Sequence, residues 1–262
     1  MSGPHTAVKR ELLVRYLDAW TPAALHRNRQ AVFVCWAGLD PARTALRVFT
    51  EFADLLQSRT VTMLVPPPVA VADLPPVHGV VVSVVDRPHA RPGTAVFGWY
   101  DTPESTVDAP VGDEVVVVSP SRVDVPSRPM ACRVELVAAD GESEFLLFAT
   151  ASEKALERFK EELWALDEYA GIQLRDPSDE KGELCDISAV AHLGPLRRSM
   201  LRRLAAGDGE TVGALRIWTL HDTMFRAGET TRAVQALLSA GSVSREPVGG
   251  RLSADTIIRL AG

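Results

Sequence analysis

The chain lacks any apolar run long enough to span a membrane as a helix, is poor in cysteine, and has a single glycine where a nucleotide fold would want several. Each shortage excludes something. Runs such as Val80 to Val85 and Val115 to Val118 fall far short of the roughly 20 residues of a spanning helix. The N-terminus has no basic-then-apolar signal pattern, so a cytoplasmic location is the expectation. Cys35, Cys132 and Cys185 are scattered and odd in number, with no C-x-x-C pair and no histidine at ligand spacing. They read as buried thiols acting as small hydrophobes, not as metal ligands.

What is present suffices for a sizeable core: 46% of the 262 residues are hydrophobic, and the length suits one large domain with a small one beside it. Gln30 to Ala37 is an apolar run of strand length. Gly38-Leu-Asp40-Pro41 then supplies a turn, an N-cap and a proline at the first helical position. Ala42, Ala45, Leu46, Phe49, Phe52, Ala53 and Leu56 follow at helical spacing. Upstream, Thr6 is placed to cap a helix carrying Leu12, Leu13, Tyr16, Leu17 and Trp20, and Thr21-Pro22 to open a second short turn. Downstream, strands are predicted at Thr60 to Val65, Val77 to Val85, Thr94 to Trp99 and Glu114 to Ser119.

Cys132 to Ala138 and Phe145 to Ala149 then pair through the Asp140-Gly141 turn. Ser152 caps a helix through Asp167, in which Lys154, Glu157, Lys160 and Glu161 read as a solvated face. Strands alternating with helices and closed by a hairpin describe an α/β, Rossmann-like sheet with flanking helices. The polar stretch from Leu174 to Asp186 reads as a linker or surface loop, dividing the chain into 1–186 and 187–262.

The net charge of -6 is unevenly spread. Residues 195–262 hold ten arginines and no lysine against six acids, a surplus of four, and residues 1–194 carry -10. A basic module on an acidic body suits an anionic partner. Helices are predicted at Pro195 to Ala206, Val212 to Leu220 and Glu229 to Ala240. Ser242 to Glu246 and Arg251 to Ala254 make a two-stranded wing. Three helices and a wing are the winged variant of the helix-turn-helix, whose third helix enters a major groove. On that reading Thr230, Thr231, Arg232 and Gln235 face bases or phosphates, while Arg226, Arg245 and Arg251 reach the backbone. A protein-docking or dimerisation module has the same pattern.

A dinucleotide or S-adenosylmethionine site after the first strand needs a Gly-rich bend and often a carboxylate for the ribose. Gly38 stands alone, and Leu64-Val65-Pro66 occupies the place of the ribose acid. Trp36, at the strand end, could fill the vacated pocket. The pairs Asp86 with His89 and His221 with Asp222 lack a nucleophile or third partner and read as exposed loop residues.

Three stretches resemble the three-Cys-motif partner proteins, a methyltransferase-like family. These are Lys9-Arg-Glu-Leu-Leu-Val-Arg-Tyr16-Leu17 with Trp20, Glu144 to Thr150 with Leu156 to Asp167, and Thr211 to Val243. The resemblance implies a methyltransferase-type sheet followed by a winged helix. The family's D-x-F-A-G-P-G turn corresponds to Val34 to Asp40, where only Ala37 and Gly38 agree. Its I-D-P-F-G would fall near Val96 to Asp101, with Asp101 displaced. A cofactor site, if functional, would use Trp36, Gly38, Asp40 and Asp101.

Each lost hydrogen bond between carboxylate and ligand costs on the order of 1.5 to 3 kcal/mol. The expectation is therefore a catalytically silent scaffold without cofactor, binding a protein partner, a nucleic acid or both through its winged helix. The alternatives are an S-adenosylmethionine-dependent methyltransferase acting on nucleic acid and a winged-helix transcription regulator.

Overall fold

The computed structural model describes residues 3–91, 93–101, 112–122, 128–166, 171–188 and 190–261. Helix α1 spans Pro4–Arg27 as one element, with Gly3 rather than Thr6 as its N-cap and Pro22 inside it. The expected second turn at Thr21-Pro22 is not separate, because buried Val8, Leu12, Tyr16, Trp20 and Leu25 keep one face in register through the proline. Thr21 Oγ1 donates to the Leu17 carbonyl at 2.6 Å. Strand β1 (Gln30–Trp36), α2 (Leu39–Glu51), the short α3 (Ala53–Leu56) and β2 (Thr60–Val65) follow. A 3-10 turn at Val71–Asp73 leads to β3 (Val80–Val84), and β4 (Ala95–Asp101) and β5 (Glu114–Ser119) come next.

The hairpin of β6 (Met130–Ala138) and β7 (Ser143–Thr150) turns at Asp140-Gly141, with Gly141 at φ 89. Ser152 caps α4 (Glu153–Trp164), accepting from the Ala155 N–H; the predicted end at Asp167 lies outside the described residues. The supposed linker is partly sheet. Short β8 (Ile172–Arg175) and β9 (Leu184–Asp186) extend the edge, β8 pairing with β6 and with β9. Four- and three-residue strands among polar residues carry almost no periodic signal.

The nine strands run β3-β2-β1-β4-β5-β7-β6-β8-β9. Strands β3 to β5 through β1 are parallel, and β7 enters antiparallel between β5 and β6. The parallel part shares the 3-2-1-4-5 order of doubly wound sheets, which reverses between β1 and β4. One face packs Phe33, Cys35 and Phe97 against α1, α2 and α4 in the main core. The opposite face packs Val34, Leu64, Tyr100 and Val117 with Val85 and Ala90, and among the described residues no helix joins it. All three cysteines are buried, which pushes Cys35 and Cys185 up to about 12 and Cys132 to about 11.

The remaining residues form α5 (Gly194–Ala205), β10 (Glu210–Thr211), α6 (Val212–Asp222), α7 (Glu229–Ser239), β11 (Val243–Glu246) and β12 (Ile257–Leu260). Their small sheet is ordered β10-β12-β11. The second strand of the expected wing is not Arg251 to Ala254. It is β12, where Ile258 is buried against the helices while Arg251, Ser253 and Ala254 are exposed.

Lys160 overturns the solvated-face expectation. Its side chain is fully buried, and Nζ donates to the carbonyls of Thr219, Leu220, Thr223 and Phe225 at 3.1, 2.6, 2.6 and 2.9 Å. These oxygens close the C-terminal end of α6, where unpaired carbonyls carry partial negative charge. Next to it, Trp164 Nε1 donates to the Met224 carbonyl at 3.0 Å and its ring stacks on Phe225. Lys160→Met should remove a donor from all four carbonyls, of which Thr219 keeps another in the Thr223 hydroxyl, and cost about 3 kcal/mol in urea denaturation.

Burial lowers Lys160 to about 8, against roughly 10.4 for a free lysine. Between those values the unfolded chain holds the extra proton, so the Lys160 contribution to stability rises with pH across that window and is flat below it. The gap between wild type and Lys160→Met should therefore widen from pH 7 to pH 9. A gap independent of pH would show that the ammonium is not desolvated.

Candidate functional site

In open parallel sheets, ligands bind beyond the carboxyl ends of the strands where the strand order reverses. At that place lies a cavity of about 480 Å³, lined by Lys9, Arg10, Leu39, Asp40, Thr44 and Asp101 among others. Asp101 reaches it as the last residue of β4, and Asp40 and Thr44 come from the first turns of α2. A larger cavity of about 680 Å³ opens between the end of α1 and the start of α4, beside the first residues of β4 and β5. It includes Glu114, whose carboxylate accepts from the buried Tyr16 hydroxyl at 2.6 Å. Burial pushes both groups up. That pair sits at the amino ends of the parallel strands and ties α1 to β5.

The open cavity corrects the expectation that side chains close the bend after β1. Trp36 does not fill it. Alternation along β1 sends Trp36 to the same face as Val34, where it is half-buried against the second cluster. Gly38, at φ 86, is the N-cap of α2, and a Cβ there would meet nothing within 4 Å. It is needed for its backbone angle, not for close approach to a ligand. Asp40 is consequently a first-turn acid and not the cap.

Two of the charged groups lining the cavity, Lys9 and Asp101, are paired, while Arg10 and Asp40 are exposed. Lys9 Nζ lies 2.8 Å from Asp101 Oδ2 and 3.0 Å from Glu144 Oε2, the latter at the start of β7. Burial alone would lower Lys9, but the two carboxylates outweigh it and hold the ammonium above its ordinary value. At the start of α2, Pro41 has no N–H and the Asp40 carboxylate opposes an anion, so this helix end is a poor phosphate or carboxylate site. No acid closes β2, where Pro66 to Pro68 follow Val65. The strand-end carboxylate of Asp101 is engaged by Lys9, and neither a Gly-rich bend after β1 nor an acid after β2 is present among the described residues, so the usual adenosyl-binding features are lacking although Asp40 lines the cavity.

The C-terminal residues picked out from sequence divide sharply. Arg226 binds Glu229 through Nη2 at 2.6 Å, and Thr230 is fully buried, donating to Thr219 Oγ1 at 2.9 Å. Arg245 donates to the carbonyls of Pro247, Gly250 and Arg251, holding the β11–β12 loop together. Those three side chains are engaged within the fold. Arg232, Gln235 and Arg251 are exposed and Thr231 is half-exposed.

Half of the C-terminal arginines are also engaged internally by acids. Of the ten arginines beyond Pro195, Arg198, Arg202, Arg203, Arg226 and Arg259 pair with carboxylates. Arg198 makes two hydrogen bonds, 2.9 and 2.6 Å, to Asp179, whose side chain is wholly buried. Among the described residues no group of His, Cys, Asp and Glu could hold a metal. No helix among them is long and apolar enough to cross a membrane. His221, read as an exposed loop residue, sits in the last turn of α6 and meets Glu153 at 2.9 Å.

No family model, curated protein or solved structure matches the chain.

Arg198 holds Asp179 below its ordinary value, so this pair stabilises the fold above about pH 4 and its contribution fades as pH falls through the lower folded value. Arg198→Ala should cost about 2 to 3 kcal/mol at pH 7 by leaving a buried carboxylate unpaired, and less at pH 3. Arg202→Ala, at an exposed pair, should change stability by under about 0.5 kcal/mol. Equal effects of the two substitutions in urea denaturation would contradict this ranking.

Proposed function

We propose that the protein is a catalytically silent, methyltransferase-like scaffold that binds a partner protein through a C-terminal winged helix. The observation that carries this reading is the Lys9 ammonium bound between Asp101 and Glu144, which occupies the acidic end of the switch-point cavity with an internal cation. Strand order supports the methyltransferase-type sheet, and the succession of α5, β10, α6, α7, β11 and β12 supports the winged helix. The likeness to three-Cys-motif partner proteins rests on residues alone. A partner protein is favoured over nucleic acid because Arg226, Thr230 and Arg245 are engaged internally and five of the ten C-terminal arginines pair with carboxylates.

A second reading, an S-adenosylmethionine-dependent methyltransferase, draws on the cavity itself, whose 480 Å³ could seat a small molecule beside Asp40 and Asp101. Calorimetric titration with S-adenosylmethionine separates the two. Wild type should give no saturable heat below about 1 mM ligand, whereas low-micromolar affinity would establish the second reading. For the tail, a short DNA duplex should bind no tighter than about 10 μM at physiological salt, within the range of weak non-specific contact. Tighter, salt-dependent binding that falls on Arg232→Ala and Arg251→Ala would replace the protein partner with a nucleic acid.

A further inference from the structure

We infer that β3 is a homodimer edge, pairing antiparallel with β3 of a second copy about a two-fold axis through Val82. Among the described residues the strand ends the sheet, with β2 as its one neighbour. An exposed edge of unpaired backbone groups is normally protected by Lys, Pro, a bulge or a covering element. Here Val80 to Val85 contains no charge and no proline. Val81 and Val84 are 53% and 40% exposed, and Val71 in the 3-10 turn packed beside β3 is 48% exposed. Three of the eight exposed large hydrophobics among the described residues thus gather at one edge.

The backbone restricts the register to those that set outward groups against outward groups, and among these Val82 is the middle residue of β3. Gly79 O accepts from Val61 N–H and Val85 N–H donates to Val65 O, so residues 79 and 85 point toward β2. By alternation 81 and 83 do the same, and Val80, Val82 and Val84 point outward. An antiparallel axis at Val82 sets Val82 against Val82 of the second copy and Val80 against Val84, a match of outward groups with outward groups. Val82 N–H then meets the opposing Val82 carbonyl, and Val84 N–H the opposing Val80 carbonyl; Val80 N–H already serves a turn to Val77. The same axis brings the turn that carries exposed His78 to the end of the strand pair where exposed Asp86 of the second copy leaves its own strand, opposite charges flanking an uncharged centre when His78 is protonated. A strand that reads as its own complement favours a second copy over an unrelated peptide.

The test is sedimentation of the full chain with a proline in the edge. Because Val82 N–H points away from β2, Val82→Pro leaves the β2–β3 ladder intact and removes a donor used only in the dimer. Wild type should sediment at twice the 28.4 kDa chain mass at about 20 μM. Val82→Pro should raise the dimer dissociation constant at least about 100-fold with an unchanged far-ultraviolet circular dichroism spectrum. Val84→Lys, which places a charge on the edge, is the second variant should Val82→Pro fail to fold, and should also give monomer. A monomeric wild type at about 100 μM, or dimers that persist in a folded variant, would overturn the inference.

Discussion

A single ammonium ion in the middle of the protein constrains how its two parts meet. Lys160 projects from α4 into the end of α6, where four carbonyl oxygens converge on it. An ammonium offers three protons, so one is shared among the four backbone oxygens, and of these the Thr219 carbonyl also accepts from the Thr223 hydroxyl. Desolvating the charge is expensive, and the cost is tolerable only while the carbonyls stay in place. The C-terminal helices are therefore fixed to the sheet by a polar contact that fails if either partner shifts. The Thr223 hydroxyl donates to the Thr219 carbonyl and the Thr230 hydroxyl to the Thr219 hydroxyl, so the start of α7 is set by the same node.

Charge elsewhere follows the same economy of internal use. A segment-by-segment count suggests a basic tail seeking an anion, but Arg198 is bound to Asp179 and Glu183 from the loop between β8 and β9, and Arg202 to Glu180. The acids that neutralise the tail lie just before it in the chain, so dividing the charge at residue 195 separates partners that touch. Lys9 acts alike at the head of the sheet, joining α1 to the ends of β4 and β7. In both places the ions position elements, and little of their field is left for a ligand.

Much of the α/β body was legible because its signals are local and repeated. The apolar runs of β1, β2, β4 and β5, the Asp140-Gly141 turn and the Ser152 cap each state their own structure. Lys160 was legible in position but not in role. It stands within the stripe Leu156, Phe159, Leu163 and Trp164, one turn from each neighbour, and a lysine in an apolar stripe marks either a break in the core or a buried cation. What it binds lies about sixty residues away, beyond any pattern along the chain. The strands β8, β9, β10 and β12 were lost or misplaced because two to four residues give no period to read.

The cavity shows why an absent motif does not determine a shape. The missing glycines remove close approach of backbone to a ligand, yet the space beyond β1 and β4 remains, because strand order and the placement of α1 create it. Sequence could predict the loss of donors and acceptors but not whether the void closes, since closure depends on Trp36 and on which face it takes. Parity along β1 sends Trp36 away from the cavity, and Lys9 enters it from α1. The deep end of the site is therefore neutralised by Lys9 while the cavity stays open, and the charges left on its lining, Arg10 and Asp40, stand at its exposed rim, where they orient a ligand weakly.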